Sequence, residues 1–256
     1  MYRTGEYEFQ VRSYECGPDG AATLSTVCNY LQEAASLNAE ALAFSRSNFA
    51  AEGENISWVL TRLRVQMARF PRWEEKTRVV TWPSGGRRIA ATREFELRDA
   101  AGMRLGVATS EWMLIDLASR RIVAIPEQVF ACVQGERPPR VLGDAPFGKL
   151  RWDCRETPGA QVFRARRGDI DLNGHVNNVH YVEWLLETVP PGAGVCTDFE
   201  IVFRSETLAG EEVRAEGVAE EPGVYAHRLS APDGRDHVLA RTRWTRLDAA
   251  AGSPGN

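Results

Sequence analysis

The sequence predicts an α+β fold in which two antiparallel sheets in one chain each wrap a helix. Three observations predict it. Two amphipathic helical segments, around Tyr30 and Tyr181, are each followed by a run of strand-like stretches. The two runs can be laid over each other. A proline-rich stretch separates them.

In chain order, YEFQVRSYE reads as an opening strand. Gly17, Pro18, Asp19 and Gly20 form a turn into a helix near Ala22 to Ala43. Leu24, Val27, Cys28, Leu31, Ala34 and Ala35 share one face of that helix. The stretches SWVLTRLRVQMARF, TRVVTW, RRIAATREFELRD and RLGVATSEWMLIDL read as strands, with turns at Pro83, Ser84, Gly85 and Gly86 and from Asp99 to Gly102. The following segment carries Pro126, Pro138, Pro139, Pro146 and Pro158 and reads as a linker across the surface. FRARRGDIDLNG then leads into a second helix, from about Asn177 to Thr188, with Val179, Val182, Leu185 and Leu186 on its apolar face. Pro190, Pro191 and Gly192 stop it. TDFEIVFRSET, EVRAEGVAE, YAHRLSAP and HVLARTRWTRL read as strands, and AAAGSPGN as a frayed tail.

The halves match at shrinking offsets. Tyr30 aligns with Tyr181 at 151 residues, Glu74-Glu75 with Glu211-Glu212 at 137, and Gly102 with Gly234 and Trp112 with Trp244 at 132. A long helix followed by consecutive antiparallel strands is the pattern of a hotdog domain. Its duplication gives a tandem (double) hotdog. The expected organisation is an N-terminal hotdog over 1–130, a linker over 131–158, a C-terminal hotdog over 159–248 and a tail over 249–256.

Composition bounds the function. Of 256 residues, 43% are hydrophobic and 26% charged, which excludes a disordered or collagen-like chain. The net charge of −4 argues against a general nucleic-acid binder. No apolar run approaches the ~18 residues that span a bilayer, and no secretory signal is visible, so the expected location is the cytoplasm. The five cysteines are scattered without a C-x-x-C pair, which points to neither a disulfide framework nor a zinc site. His175, His180, His227 and His237 do not form a metal-ligand pattern, and no G-x-S-x-G or phosphate-binding glycine loop occurs.

The densest polar cluster is the stretch from Asp169 to Asn178, just before the second helix. Asp171, Asn173 and His175 are spaced by two, so an extended segment would point all three one way. The helix N-terminus behind them offers N–H groups for a developing oxyanion. The plainer reading of Asp171 or Asn177 alone is a turn or N-cap residue. The first copy is an internal control. At 151 residues Asp171 maps to Gly20, Asn173 to Ala22 and His175 to Leu24, so only the second copy carries the polar set. Glu206, which ends FEIVFRSE and maps to Arg69, is the fourth candidate, a carboxylate placed to activate water.

Together these residues resemble the acyl-ACP thioesterases. The stretches RSYECGPDGAATLSTVCNYLQEAA, SWVLTRLRVQMARFPRWEEKTRVVTW, SEWMLIDLASRRIVAIPEQV, DIDLNGHVNNVHYVEWLLE and FEIVFRSE carry the resemblance in order. It implies a tandem hotdog fold and hydrolysis of the thioester between a fatty acyl chain and acyl carrier protein, terminating fatty acid biosynthesis. It implies no metal or cofactor. Asp171, Asn173, His175 and Glu206 would be the catalytic set. Glu206, assisted by His175, would activate water, Asn173 would position it or the thioester, and Asp171 would orient the loop. Backbone N–H groups from Val176 to Asn178 would hold the oxyanion, with Asn177 and Asn178 at the substrate. Plant members with a cysteine after this glutamate are matched here by Thr207, which leaves water attack, with a covalent anhydride through Glu206 as the rival.

The acyl chain would enter an apolar channel of the first copy beside Leu31, Ala34, Leu37, Leu42, Trp58, Leu60 and Trp112. Arg87, Arg88, Arg166 and Arg167 could dock the acidic carrier protein. The protein is expected as a monomer or homodimer. An acyl-CoA thioesterase of hotdog fold and a non-catalytic acyl-binding hotdog protein are the alternatives.

Overall fold

The computed structural model describes residues 4–131, 139–154, 157 and 159–246. The chain divides into two compact units, 1–149 with 200–204, and 150–199 with 205–256. The expected tail over 249–256 and the linker positions 132–138, 155, 156 and 158 lie outside the described residues.

In the first unit β1 (Gly5–Gln10) is followed by a 3-10 turn at Ser13–Glu15 and helix α1 (Leu24–Ala41). The strands β2 (Ile56–Met67), β3 (Lys76–Arg87), β4 (Ala90–Asp99) and β5 (Arg104–Asp116) come next. They run antiparallel in the order β1-β3-β4-β5-β2. Helix α1 packs on β1 and β3. It forms where the sequence predicts it, because Leu24, Val27, Tyr30, Leu31, Ala34 and Ala35 recur on one face and are buried. Thr23 starts it by accepting a hydrogen bond from the Thr26 amide at 3.1 Å.

The second unit repeats the plan. It has β7 (Gln161–Arg164), a 3-10 turn at Arg167–Asp169, α4 (Asn178–Leu186), β8 (Val195–Phe203, of which residues up to 199 belong to this unit), β9 (Glu212–Glu221), β10 (Val224–Ser230) and β11 (Asp236–Thr245). Its strand order is β8-β11-β10-β9-β7, with α4 packed against β9 and β10. The short elements α2 (Arg46–Ala51), β6 (Ile122–Val123) and α3 (Glu127–Ala131) have no sequence signal.

Two expectations are corrected. The turn expected at Pro83–Gly86 is part of β3, which continues to Arg87 with a bulge between Pro83 and Gly85. Proline is tolerated because β1 pairs with β3 only as far as Thr81, so no strand on that side asks Pro83 for an N–H. Within the expected linker, residues 139–149 are pinned to the first sheet. Trp82 Nε1 donates to the Pro139 carbonyl at 3.0 Å and Arg64 to that of Pro146 at 2.8 Å. The Val141 amide donates to the buried Glu94 carboxylate, which also takes the Ser84 hydroxyl at 2.7 Å and that of Thr109 at 2.5 Å.

The internal repeat is sharper in the structure than in the sequence. Phe9 stacks on Tyr30 with ring centroids 4.5 Å apart, and Phe163 stacks on Trp184 at 5.7 Å. Arg12 pairs with Glu15 as Arg166 pairs with Asp169. The bridge Cys16–Ala22 has its counterpart in Ile170–Val176. All these pairs are 154 residues apart, so the helices align at 154 and not at 151. Further on, Val11 N to Glu75 O matches Ala165 N to Glu211 O, which sets the next offset at 136 and not 137. The 132-residue offset holds at Trp112 and Trp244, each of which donates Nε1 to a hydroxyl two residues earlier.

A buried polar relay ties the end of α4 to its sheet. The Thr188 hydroxyl donates to the Leu185 carbonyl at 2.7 Å, so it accepts from His227 Nδ1 at 2.9 Å. His227 Nε2 then accepts from the Thr242 hydroxyl at 2.8 Å, which accepts from Trp244 Nε1. Every ring nitrogen is satisfied with the histidine neutral, and burial pushes its pKa down to about 3. Gly217 faces His227 across the ladder, where any side chain would overlap Thr188.

Candidate active site

The site forms where the chain passes from the 3-10 turn into α4. Ile170 and Val176 bridge antiparallel, the Asp171 amide donates to the His175 carbonyl at 2.8 Å, and the Gly174 amide donates to the Asp171 carbonyl at 3.0 Å. Gly174 closes this turn at φ +83°, a conformation open to glycine. The segment is therefore a closed turn and not the extended stretch that alternation suggested. What gathers its residues is the Asp171 carboxylate. It accepts from the Asn173 amide at 2.8 Å, the Asn173 side-chain nitrogen at 3.2 Å and the His175 amide at 3.4 Å.

His175 Nε2 lies 3.0 Å from Glu206 Oε2. The histidine side chain is 19% exposed and the glutamate 44%, so the pair is open to a substrate and to water. Glu206 belongs to no strand. It is held by its neighbours: the Thr207 carbonyl accepts from the Val176 amide at 3.0 Å, and Ser205 is bound to His237. Tyr181, buried in α4, lies against Thr207, and burial pushes its phenol up to about 12.

The structure thus brings together Asp171, Asn173, His175 and Glu206. It does not leave the amides of Val176 and Asn177 free for an oxyanion. Val176 N–H is taken by Thr207, and Asn177 N–H by the Asp169 carbonyl at 2.8 Å. Asn177 is the N-cap of α4, its side chain accepting from the Val179 amide at 3.2 Å, and Asn178 is the first helical residue. Arg166 is engaged with Asp169, whose carboxyl it holds below the usual range against the opposing effect of burial. Arg87, Arg88 and Arg167 are exposed. Cys196 is buried, and burial pushes its thiol up to about 12, far from a thiolate nucleophile.

In the first unit Leu31 and Ala34 lie on the buried face of α1, and Leu42 is buried at its end. The β2–β5 register sets Leu60 opposite Trp112 and Trp58 opposite Leu114. Trp58 joins an apolar cluster of Phe49, Ile56, Leu114, Ile125 and Val129 and donates Nε1 to the Phe44 carbonyl at 2.7 Å. Leu37 departs from this set. It is 41% exposed, on the outer side of the helix.

With the corrected offsets, Asp171 maps to Gly17, Asn173 to Asp19, His175 to Ala21 and Glu206 to Phe70. The first unit keeps the turn, with the Gly17 amide donating to the Ala21 carbonyl at 2.9 Å, but lacks the histidine and the acid. Sequence reasoning passed over Ser205 and His237. At the 132-residue offset His237 faces Leu105, so the comparison that singled out His175 would have found it.

Among the described residues no group of three or more His, Cys, Asp or Glu side chains is arranged to hold a metal ion, and no helix is long and apolar enough to cross a membrane.

The acyl-ACP thioesterase N-terminal domain matches residues 3–133, and the acyl-ACP thioesterase C-terminal domain matches residues 155–246. A chloroplastic palmitoyl-acyl carrier protein thioesterase of Arabidopsis thaliana is 34% identical over 265 residues, covering 93% of this chain and 63% of that protein. The chain spans less than two thirds of that relative's length. The 12:0-ACP thioesterase of Umbellularia californica superposes with a TM-score of 0.83 at 26% identity, over 95% of this chain and 98% of the other. An acyl-ACP thioesterase of Bacteroides thetaiotaomicron also gives 0.83, at 22% identity, over 94% and 98%. A fold of two hotdog units, a polar turn beside a histidine–glutamate pair in the second alone and matches along nearly the whole chain agree: the chain belongs to the acyl-ACP thioesterase family.

Proposed function

We propose that this protein hydrolyses fatty acyl-ACP, releasing free fatty acid and the carrier protein, and so ends acyl-chain growth in fatty acid biosynthesis in the cytoplasm. The observation that carries the proposal is the 3.0 Å contact of His175 Nε2 with Glu206 Oε2 beside the Asp171-organised turn. The Glu206 carboxylate is the base. It takes a proton from water as the oxygen adds to the thioester carbonyl. His175 Nε2–H donates to the carboxylate and fixes which oxygen faces the water. The tetrahedral adduct then expels the thiolate, and the proton held by Glu206 returns to sulfur. Asp171 takes no part in the bond changes but fixes the turn, and Asn173 directs the water or the thioester. Water attack is favoured because the residue after Glu206 is a threonine, fully buried.

The acyl chain lies in the first unit beside Leu31, Ala34, Leu42, Trp58, Leu60 and Trp112, each methylene contributing about 0.8 kcal/mol on burial. The test is fatty acid release from a panel of acyl-ACPs, with acyl-CoAs in parallel. Wild type should turn over acyl-ACP, and His175→Ala should lower kcat by roughly 10²–10⁴-fold. Turnover of acyl-CoA alone would overturn the choice of carrier. Binding without any turnover would favour an acyl-binding protein.

A further inference from the structure

His237 is a buried histidine, 1% exposed, and the chemistry above does not use it. It lies at the start of β11, beside the segment that carries Glu206. The Ser205 amide donates to the His237 carbonyl at 3.3 Å, and the Ser205 hydroxyl donates to the Asp236 carbonyl at 3.0 Å. His237 Nδ1 approaches the Ser205 hydroxyl oxygen at 3.0 Å and the Ser205 carbonyl at 3.3 Å. A carbonyl only accepts, and the hydroxyl proton is already given to Asp236. Nδ1 therefore carries the proton and donates to Ser205. The other nitrogen, Nε2, is buried with no hydrogen-bond partner among the described residues.

An orphaned buried nitrogen destabilises the fold, because it gives up its bond to water and gains none in return. An apolar residue of similar size would avoid that cost, and the first unit has one. There the same backbone contact is made, Arg69 N to the Leu105 carbonyl at 3.2 Å, with Leu105 in place of His237 and Arg69 in place of Ser205. The sheet therefore closes at this point without a histidine. The histidine and serine stand only in the unit whose next residue is the proposed base, Glu206, and not Phe70.

We propose that His237 is a positioning residue that acts through Ser205 to aim the Glu206 carboxylate at His175. Glu206 leaves β8 in an irregular segment, so its backbone needs two fixed points. Thr207, held by the Val176 amide, is one. Ser205, held at its amide, its hydroxyl and its carbonyl, is the other. His237 supplies the bonds that a leucine cannot.

The inference rests on the hydrolase reading for its kinetics but not for its geometry, and the experiment separates the two. His237→Leu, His237→Asn, His237→Gln and Ser205→Ala are compared with wild type in acyl-ACP turnover. The asparagine amide reaches where Nδ1 stands, and the glutamine amide reaches where Nε2 stands. His237→Leu should lower kcat by about 10–100-fold with KM little changed, as expected when a reacting group is misplaced. His237→Asn should recover most of that loss and His237→Gln little of it. Ser205→Ala, which keeps the histidine and the buried volume, should lower kcat in the same direction. A crystal structure of His237→Leu should show the His175–Glu206 separation opened beyond hydrogen-bond reach. Wild-type kcat in His237→Leu and Ser205→Ala, equal recovery by Asn and Gln, or a separation still near 3 Å would overturn the proposal. If wild type releases no fatty acid, the hydrolase reading fails, and the crystal structure alone decides the positioning role.

Discussion

Asp171 shows how much a single carboxylate can organise. Three donors of the turn converge on it. Its removal should act on catalysis through the position of His175. Asp171→Ala is expected to lower kcat by about 10–100-fold, and Glu206→Gln by roughly 10²–10⁴-fold because the base itself is lost. Initial-rate kinetics on one acyl-ACP would rank them, and equal losses would show that Asp171 takes part in the chemistry directly. The residue types of this site were legible in the sequence because a carboxylate, an amide and a histidine stood together where the first copy has neither the amide nor the histidine. Their geometry was not. Spacing by two implies a common face only for extended backbone, and Gly174 at φ +83° turns the chain before that rule can apply. His237 was hidden for another reason. A buried histidine within a strand reads as core unless it is compared with Leu105.

Among the elements, α4 is the one that the site depends on, and its start is set by Asn177. The side chain caps the Val179 amide, and the backbone amide is spent on Asp169. Asn177→Ala should therefore cost about 1 kcal/mol of stability, within a range of about 0.5–2. Urea denaturation of the two proteins would measure it. No change in the midpoint would show that the cap is replaced by water. Helices α1 and α4 were legible because their apolar faces recur at helical spacing. Helix α2, strand β6 and helix α3 were not, since six, two and five residues are too few to display a period. Strand β3 was cut short in the sequence reading because proline and glycine mark turns, and the reading could not know that β1 ends before Pro83.

On the scale of the whole molecule, acid is the condition that opposes the fold most directly. His227 is neutral in the native state with a pKa lowered to about 3, against 6.5 for the free side chain. Between these values the unfolded chain takes up a proton that the native chain refuses. Its contribution to stability is complete above pH 6.5 and is lost as pH falls towards 3. His237, also lowered by burial, acts with the same sign. The urea midpoint should therefore fall steadily on acidification from neutral pH, and less steeply in His227→Gln. An identical slope in the variant would assign the acid sensitivity elsewhere.

The shared register of the two units has a consequence for how such a chain can drift. At Ala21, Phe70 and Leu105 a substitution answers to packing alone. On the chemistry proposed above, at His175, Glu206 and His237 it answers to packing and to turnover together. On that proposal, these three positions of the first copy are where a lineage can accumulate change without losing its reaction, while their counterparts in the second are held in place by it.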